Sequence, residues 1–557
     1  MSVTHTANNN PMSGGAGISG RVMDNSVIAG LRRSAKLFPD SDAFYCQHQV
    51  VSWQQLHDDV VTIARVWSHL LDVNQTGRVA IYLHKGIDFV TAIYSAMECG
   101  LTWVPLDATQ PAERAAVILD NAKPELLVVT RSLWQDLKDK LSDDVRRSIQ
   151  LVVCDDRYSD LAESVSSSAL AQSLEHQDKS HVYLPFQPVP SDVAAILFTS
   201  GSTGVPKGVQ ISHQNLMHFI NWAVDELDLV HEDVLSNHAG YHFDLSTFDL
   251  FAASQVGAAC WIITQQEQRN VVALREGIIR HNVTVWYSVP SVLSMMVTAG
   301  ALEPSASASL RHVIFAGEVF PVKQLNALAE QLPAGCSMYN WYGPTETNVC
   351  LSHRITEQDL AASHPPPIGK LLPDIWAWQV APDGQLSLHQ GDWEGELVVS
   401  GPCVTPGYIN QANTLNTVHH RQKRHATGDL VVCKDGVFTY HGRIDRMVKI
   451  HGNRVELGEI EAALNRFDSL AEVAVVCHLT ESEQHVIAFY TLADGIGKVS
   501  ALALKQFASQ HLPRYMIPSR FSAMSELPSN NNGKVDYPAL SRLAAEMFEP
   551  AQEKVNS

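Results

Sequence analysis

Apolar residues recur at spacings of three and four along Leu56, Val60, Ile63, Ala64, Trp67 and Leu71, the spacing of one helix face. Ser52 stands just before them, where a hydroxyl can take a first-turn N–H as an N-cap. Short apolar runs then alternate with helix-like stretches. Val79 to Leu83 predicts a strand, Ile87 to Cys99 a helix stopped by Gly100, and Trp103 to Leu106 another strand. Pro111 opens a further helix in its first turn, and Leu126 to Thr130 returns to strand, with glycine and proline in the places helix ends favour. This alternation continues towards Asp445 and predicts layered α/β structure with largely parallel sheets.

Two stretches break the rhythm. Residues 156–190 hold four serines between Ser164 and Ser168, then His/Gln-rich positions, then Pro185, Pro188 and Pro190; this composition predicts a linker. Ser305 to Ser309 reads as a shorter loop of the same kind. Beyond Asp445 the pattern changes to a helix at Gly458 to Arg466, strands at Val473 to Cys477 and His485 to Leu492, and a helix at Leu502 to His511. The expected organisation is a disordered leader over 1–21, a large α/β core of several subdomains with mostly parallel sheets over 22–445, and a small α+β lid domain over 446–557.

Composition narrows the class of function. The 557 residues exceed the ~100–200 usual for one domain. A net charge of −19 argues against nucleic acid or an anionic membrane as the main partner. Nine cysteines run from Cys46 to Cys477 without a Cys-x-x-Cys pair, as expected of reduced thiols in a cytoplasmic protein. The first twenty residues lack the apolar core of a signal peptide, and no apolar run approaches the ~18 residues of a membrane span. Gly15-Ala16-Gly17-Ile18-Ser19-Gly20 fits a dinucleotide pattern, but no strand precedes it, so a tail is the better reading.

The chemistry concentrates in Phe198-Thr199-Ser200-Gly201-Ser202-Thr203-Gly204-Val205-Pro206-Lys207-Gly208. An apolar run, Val193 to Phe198, precedes it and a helix-like segment, about His213 to Leu227, follows. Strand, Gly-rich loop and helix in that order predict backbone N–H groups presented to phosphate, with Lys207 adding a point charge; a solvated Gly/Ser turn is the plain alternative. The spacing is not that of the common P-loop, since Lys207 is followed by Gly208. Tyr342-Gly343-Pro344-Thr345-Glu346-Thr347 offers an aromatic face and a hard carboxylate suited to Mg²⁺, or a surface turn with a capping Glu. Thr427-Gly428-Asp429 is by itself a common turn, although an aspartate's two oxygens suit vicinal hydroxyls. Asp244, set among Phe243 and Leu245, is costly to bury unless it meets a cation; it also reads as an N-cap for the following helix, a role Asp249 could take instead.

In this order the loop resembles the phosphate loop of the adenylate-forming superfamily: acyl-CoA synthetases, firefly luciferases and the adenylation domains of nonribosomal peptide synthetases. Further matches keep family order: Val51 to Leu56, Gly100 to Asp107, Gly395-Glu396-Leu397 with Gly407-Tyr408, Gly442 to Gly452, Leu512 to Pro518, and Asn532-Gly533-Lys534-Val535-Asp536. Arg424-His425-Ala426 departs from the aromatic–Arg pair usual before Thr427. The resemblance implies ATP held by Thr199, Ser200, Gly201, Ser202, Thr203, Gly204 and Lys207, by Gly317 and Glu318, and by Tyr342 on the adenine with Gly343 and Thr345. Asp429 and Arg443 would reach the ribose or a phosphate. Glu346 would hold Mg²⁺, and Lys534 would be the catalytic lysine beside Glu346 and Lys207. Asp445 would be the hinge and Gly452 the mouth of a thiol tunnel.

The resemblance also bears on substrate. In amino-acid-activating members an aspartate at the position of Asp244 pairs with the α-ammonium, and acyl- and aryl-CoA ligases generally lack it. The matching pocket is Leu245, Phe248, Tyr287, Ile314, Ala316, Trp341, Val349 and Cys350, without a charge and narrowed by aromatics, which suits a small or medium apolar amino acid. The combination resembles free-standing ligases that load L-proline onto a carrier protein. The expected reaction is ATP-dependent formation of an aminoacyl-adenylate and its capture by the phosphopantetheine thiol of a carrier acting in trans, since no carrier attachment serine stands in the chain. An acyl- or aryl-CoA ligase of the same fold and a non-catalytic adenylate-binding regulator are the rival readings.

Overall fold

Ser52 caps the helix Trp53–Leu70: its hydroxyl accepts the Gln55 N–H at 3.2 Å, and the Gln55 side chain accepts the Ser52 N–H at 2.8 Å. This reciprocal pair satisfies two donors that a helix start leaves orphaned. Leu56, Val60, Ile63, Ala64 and Trp67 are fully buried, as their spacing predicts, and Leu71 ends the helix. The computed structural model describes residues 26–71, 77–154, 185–201, 205–380, 386–389, 391–410, 419–480, 483–493, 495–529 and 535–548. The leader over 1–21, most of the 156–190 segment, Ser202, Thr203, Gly204 and Lys534 lie outside the described residues.

The predicted alternation builds two large sheets. The first runs, edge to edge, Gly407–Tyr408, Lys207–Ser212, Val193–Thr199, Thr102–Pro105, Arg78–Tyr82, Leu126–Thr130, Gln150–Cys154. It is parallel from Val193–Thr199 onwards. The second has nine strands, with a parallel centre of Asp42–Cys46, Ala259–Ile262, Val234–Asn237, Val285–Ser288, His312–Ala316 and Ser337–Tyr342 and antiparallel edges. Residues of both sheets share one buried core with the helices Trp53–Leu70, Ile87–Glu98, His213–Glu226 and Leu245–Val256. A five-stranded antiparallel sheet spans Trp376–Val380 to Val437–Arg443. The C-terminal part has cores of its own. It consists of a hairpin, Met447–Ile450 with Asn453–Glu456, a three-stranded sheet, and the helices Leu457–Leu464, Ala501–His511 and Tyr537–Glu546. The architecture is thus a large core of mostly parallel sheets with a smaller α+β domain after it.

Two expectations are corrected. The Gly-rich loop does not lead into a helix; it closes an antiparallel hairpin in which Phe198 faces Gly208 and Thr199 faces Lys207. The helix His213–Glu226 begins only after the strand Lys207–Ser212, capped by Ser212. Gly208 makes the extra strand possible, because a Cβ there would lie 2.7 Å from Ile409 and 2.9 Å from Ile196. The segment Ser305 to Ser309 is mostly a short helix, Pro304–Ser307, rather than a loop. Proline fits its first turn, and the buried Ser307 hydroxyl donates to the Gln331 carbonyl at 2.8 Å.

Candidate active site

One cavity lies at the ends of the parallel strands, where the two large sheets and the C-terminal hairpin meet. Of the expected site residues, Thr199, Ser200, Asp244, Leu245, Tyr287, Ala316, Gly317, Gly343, Thr345, Val349, Asp429, Arg443 and Gly452 line it. Cavities at strand ends of α/β sheets are where such folds bind ligands. Beside the Gly-rich loop the Thr199 hydroxyl is buried without a hydrogen-bond partner among the described residues. Gly201 has no room for a side chain: a Cβ would stand 1.9 Å from the Val205 carbonyl oxygen. Lys207 sits at the start of the returning strand, near Glu456, whose pKa burial raises against the pull of Arg454 and then of Lys207.

Asp244 occupies the N-cap position of Leu245–Val256 but makes no side-chain capping hydrogen bond. Its carboxylate faces the cavity instead. Burial pushes its pKa up to about 6; Lys449 opposes this and Glu346 adds to it. An acid so placed gains from a cation arriving in the cavity. Asp249 is no cap either: it is buried in the helix interior, where its Oδ2 accepts the Asn237 amide at 3.1 Å. Beyond Asp244, Phe248, Tyr287 and Trp341 form an edge-to-face cluster with centroids 5.1–5.6 Å apart. Tyr287 fronts the cavity, while the buried Phe248, Ile314, Trp341 and Cys350 do not reach its lining. Leu245, Ala316 and Val349 complete an apolar wall.

Tyr342 is buried and its hydroxyl donates to Asp429. The other oxygen of Asp429 accepts Arg443 Nη1 at 2.5 Å. Arg443 in turn donates through Nε and Nη2 to the two oxygens of Asp445, both at 2.6 Å. The four residues form one chain of charge-assisted bonds running from the strand Ser337–Tyr342 to the start of the C-terminal domain.

Glu346 is sealed from solvent. Its carboxylate takes the Tyr408 hydroxyl at 2.6 Å and both its oxygens take Arg454 Nη1, at 2.9 and 2.8 Å. Burial resists its charge, but the Arg454 guanidinium, then His425 and the Tyr408 hydroxyl, outweigh that and hold the carboxyl well below the usual range. His425, from the stretch that departs from the family pattern, stands 3.9 Å away and contacts His420 at 2.9 Å. In this arrangement the residues do not fit a bound Mg²⁺. Both Glu346 oxygens are engaged, and no group of three or more His, Cys, Asp or Glu side chains that could hold a metal occurs among the described residues.

The hairpin from the C-terminal domain closes the cavity. Gly452 donates its N–H to Glu318 Oε1 at 2.7 Å and its Cα lies beside Gly317, where a Cβ would come within 3.9 Å. Lys449 also lines the cavity; burial lowers its pKa, against the pull of Asp429 and Asp244. Sequence reasoning missed Lys449, Arg454, Arg114 and Glu459 as site residues. Each acts through partners far away in the chain, as Arg114 and Glu459 do in pairing at 2.5 Å across 345 positions, and no local motif marks such pairs.

Residues 31–409 match the AMP-binding enzyme family, and residues 459–534 match the AMP-binding enzyme C-terminal domain. The L-proline--[L-prolyl-carrier protein] ligase of Streptomyces coelicolor is 46% identical over 464 residues, covering 83% of this chain and 86% of that protein. The ligase of the same name from Pseudomonas fluorescens is 36% identical over 473 residues, covering 85% and 90%. Among solved structures, the Vibrio cholerae adenylation domain AlmE in complex with glycyl-adenosine-5'-phosphate superposes with a TM-score of 0.74 at 22% identity, over 95% of this chain and all of that one. No helix among the described residues is long and apolar enough to cross a membrane.

Proposed function

The chain belongs to the AMP-binding enzyme family, and from that premise we propose that it is a ligase that activates L-proline with ATP and delivers the prolyl group to the thiol of a separate carrier protein. The observation that carries the amino-acid reading is Asp244, which lines the cavity, makes no capping hydrogen bond, and has its pKa raised by burial against the pull of Lys449. A carboxylic acid without an amine would leave it so; the α-ammonium of an amino acid would meet it. The apolar wall of Leu245, Ala316 and Val349 with Tyr287 suits a small ring. The two relatives named as prolyl ligases support proline.

The chemistry has two halves. A carboxylate oxygen of proline attacks the α-phosphorus of ATP, the bond from that phosphorus to its bridging oxygen breaks, and pyrophosphate leaves. The carrier's thiolate sulfur then attacks the acyl carbon, and AMP departs with the carboxylate oxygen. Positioning and charge neutralisation suffice, without a side-chain nucleophile. In this reading Thr199, Ser200, Gly201, Ser202, Thr203, Gly204 and Lys207 hold the leaving pyrophosphate. Tyr342, Gly343, Thr345, Gly317 and Glu318 hold the adenosine and α-phosphate, and Asp429 and Arg443 the ribose. Lys534 neutralises the developing charge. AMP-binding ligases use ATP and typically Mg²⁺. Residues 22–445 act as core and 446–557 as lid, with Asp445 at the hinge, and the carrier's phosphopantetheine enters past Gly452. The protein works in the cytoplasm.

The test is to incubate the chain with ATP, Mg²⁺, L-proline and a phosphopantetheine-bearing prolyl-carrier protein, followed by intact-mass measurement. The carrier should gain one prolyl group as a thioester released by hydroxylamine, and the form without phosphopantetheine should gain nothing. Acylation of coenzyme A in preference to the carrier, or no prolyl transfer, contradicts the reading.

A further inference from the structure

The loop from the strand Val234–Asn237 to the helix Leu245–Val256 carries Asp244 at its far end, and a lysine from a distant part of the chain grips its base. Lys85 Nζ donates to the Asn237 carbonyl at 2.7 Å and to the His238 carbonyl at 2.9 Å. The Gln268 amide donates to the same His238 carbonyl. Lys85 Nζ also stands 5.5 Å from the centre of the Tyr241 ring, within cation–π reach, and Tyr241 packs on Phe89 with ring centroids 4.7 Å apart. The helix is tied in as well: the Asn237 side-chain amide donates to Asp249 Oδ2 at 3.1 Å, twelve positions further on. Strand end, loop and helix thus close a ring of chain that holds Asp244 and is pinned at its base by Lys85.

The grip is costly. Burial lowers the pKa of the ammonium to about 7, against the pull of Asp249. Asn237 Oδ1 and Asp249 Oδ1 are buried without a hydrogen-bond partner among the described residues, and such groups cost stability. An apolar residue at position 85 would bury no charge, but it would take a donor from two successive carbonyls. Holding both carbonyls on one ammonium fixes the direction in which the chain leaves the strand. Where a functional side chain must stand within a fraction of an ångström, support of this kind decides how well the site works. Lys85 is not among the residues lining the cavity, so it acts only through the loop. We infer that Lys85 is a positioning residue for amino-acid activation: by pinning the Asn237 and His238 carbonyls it sets the place of the Asp244 carboxylate, and with it the affinity for the substrate's ammonium group. The inference rests on the substrate role of Asp244 proposed above.

A residue that acts through another loses its effect once that other is removed, which a double-mutant cycle detects. The test uses the full chain, with KM for L-proline and for ATP measured by ATP–pyrophosphate exchange in the parent, Lys85→Met, Asp244→Asn and the double variant. Lys85→Met should raise KM for L-proline by about 10- to 100-fold, the scale of an ångström-sized misplacement, and leave KM for ATP near the parent's. In the Asp244→Asn background the same change should add little, because no carboxylate is left to misplace. Should Lys85→Met not fold, Lys85→Met combined with Asp249→Asn, which leaves no stranded carboxylate, makes the same comparison. Both KM values rising together, kcat falling with both KM values unchanged, or a full further loss in the Asp244→Asn background overturns the inference, since each marks a general structural role. If Asp244→Asn leaves KM for L-proline unchanged, the substrate reading itself falls, and the inference with it.

Discussion

The Gly452 N–H donates to Glu318 Oε1 at 2.7 Å, and Glu318 Oε2 accepts the Ser291 N–H at 3.1 Å. One carboxylate thus ties the tip of the C-terminal hairpin to the rim of the core. Gly452 has φ +76, and a Cβ there would lie 2.3 Å from Val289 Cγ1. Gly452→Val should therefore lift the tip from its seat, through a left-handed backbone that valine resists and through the clash. Thiol transfer should fall by about 10², the cost of an ångström-scale misplacement, while ATP–pyrophosphate exchange stays near the parent's. Single-turnover transfer measured beside exchange checks this; equal loss in both contradicts it.

Asp244 should confer a pH dependence on amino-acid binding. Its carboxyl titrates at about 6 because burial disfavours the charge. Only the carboxylate attracts an ammonium, so affinity for the amino acid is full above that pH and is lost as pH falls through it. kcat/KM for the amino acid reports this free-enzyme group. Asp244→Asn should remove the step, and Asp244→Ala should cost about 2–5 kcal/mol of amino-acid binding, the scale of a broken buried charge pair. ATP affinity should hold in both variants. A pH profile identical in parent and Asp244→Asn would take the carboxylate out of the substrate site.

Gly201 tests the phosphate loop. Adding one methyl group sets a Cβ 1.9 Å from the Val205 carbonyl oxygen, backbone that cannot step aside as a side chain tip can. Gly201→Ala should weaken ATP because the loop must shift to admit the methyl group, and should lower the melting temperature by no more than a loss of about 1–3 kcal/mol in stability would, the usual cost of overpacking. Nucleotide titration alongside a thermal scan separates the two effects; unchanged ATP affinity counts against the loop as the phosphate site.

Lys534 should serve one half-reaction. Removing a donor aimed at developing charge costs about 10²–10³ in rate. Lys534→Ala should lose exchange on that scale yet still pass supplied prolyl-adenylate to a carrier thiol, where the adenylate already exists. Loss of both halves to the same degree contradicts this division.

Much of the fold is legible in the sequence because its signals are local. Ser52 with Gln55, Gly100, and the run Leu126 to Thr130 each announce an element within a few residues, and the strand Leu126–Thr130 has the expected bounds. The strand Lys207–Ser212 was hidden because Lys207 and Gly208 read as the end of a loop, although it pairs with the neighbouring Val193–Thr199; its other edge takes Gly407–Tyr408, far along the chain. The alternative roles of Asp244 and Asp249 were undecidable from spacing; only the partners settle them, a cavity for the first and the Asn237 amide for the second. Arg454 was invisible for the same reason. Its meaning lies in Glu346, 108 positions earlier, and a single arginine in a short polar strand is otherwise an ordinary surface residue.

The most direct test of the whole account is ATP–pyrophosphate exchange by the unmodified chain across a panel of the twenty amino acids, D-alanine, benzoate and octanoate. The account predicts exchange that depends on an added amino acid, is highest with L-proline, and is negligible with the two acids that lack an amine to meet Asp244. Exchange driven best by benzoate or octanoate, by a charged or large aromatic amino acid, or by none of the panel, would contradict it.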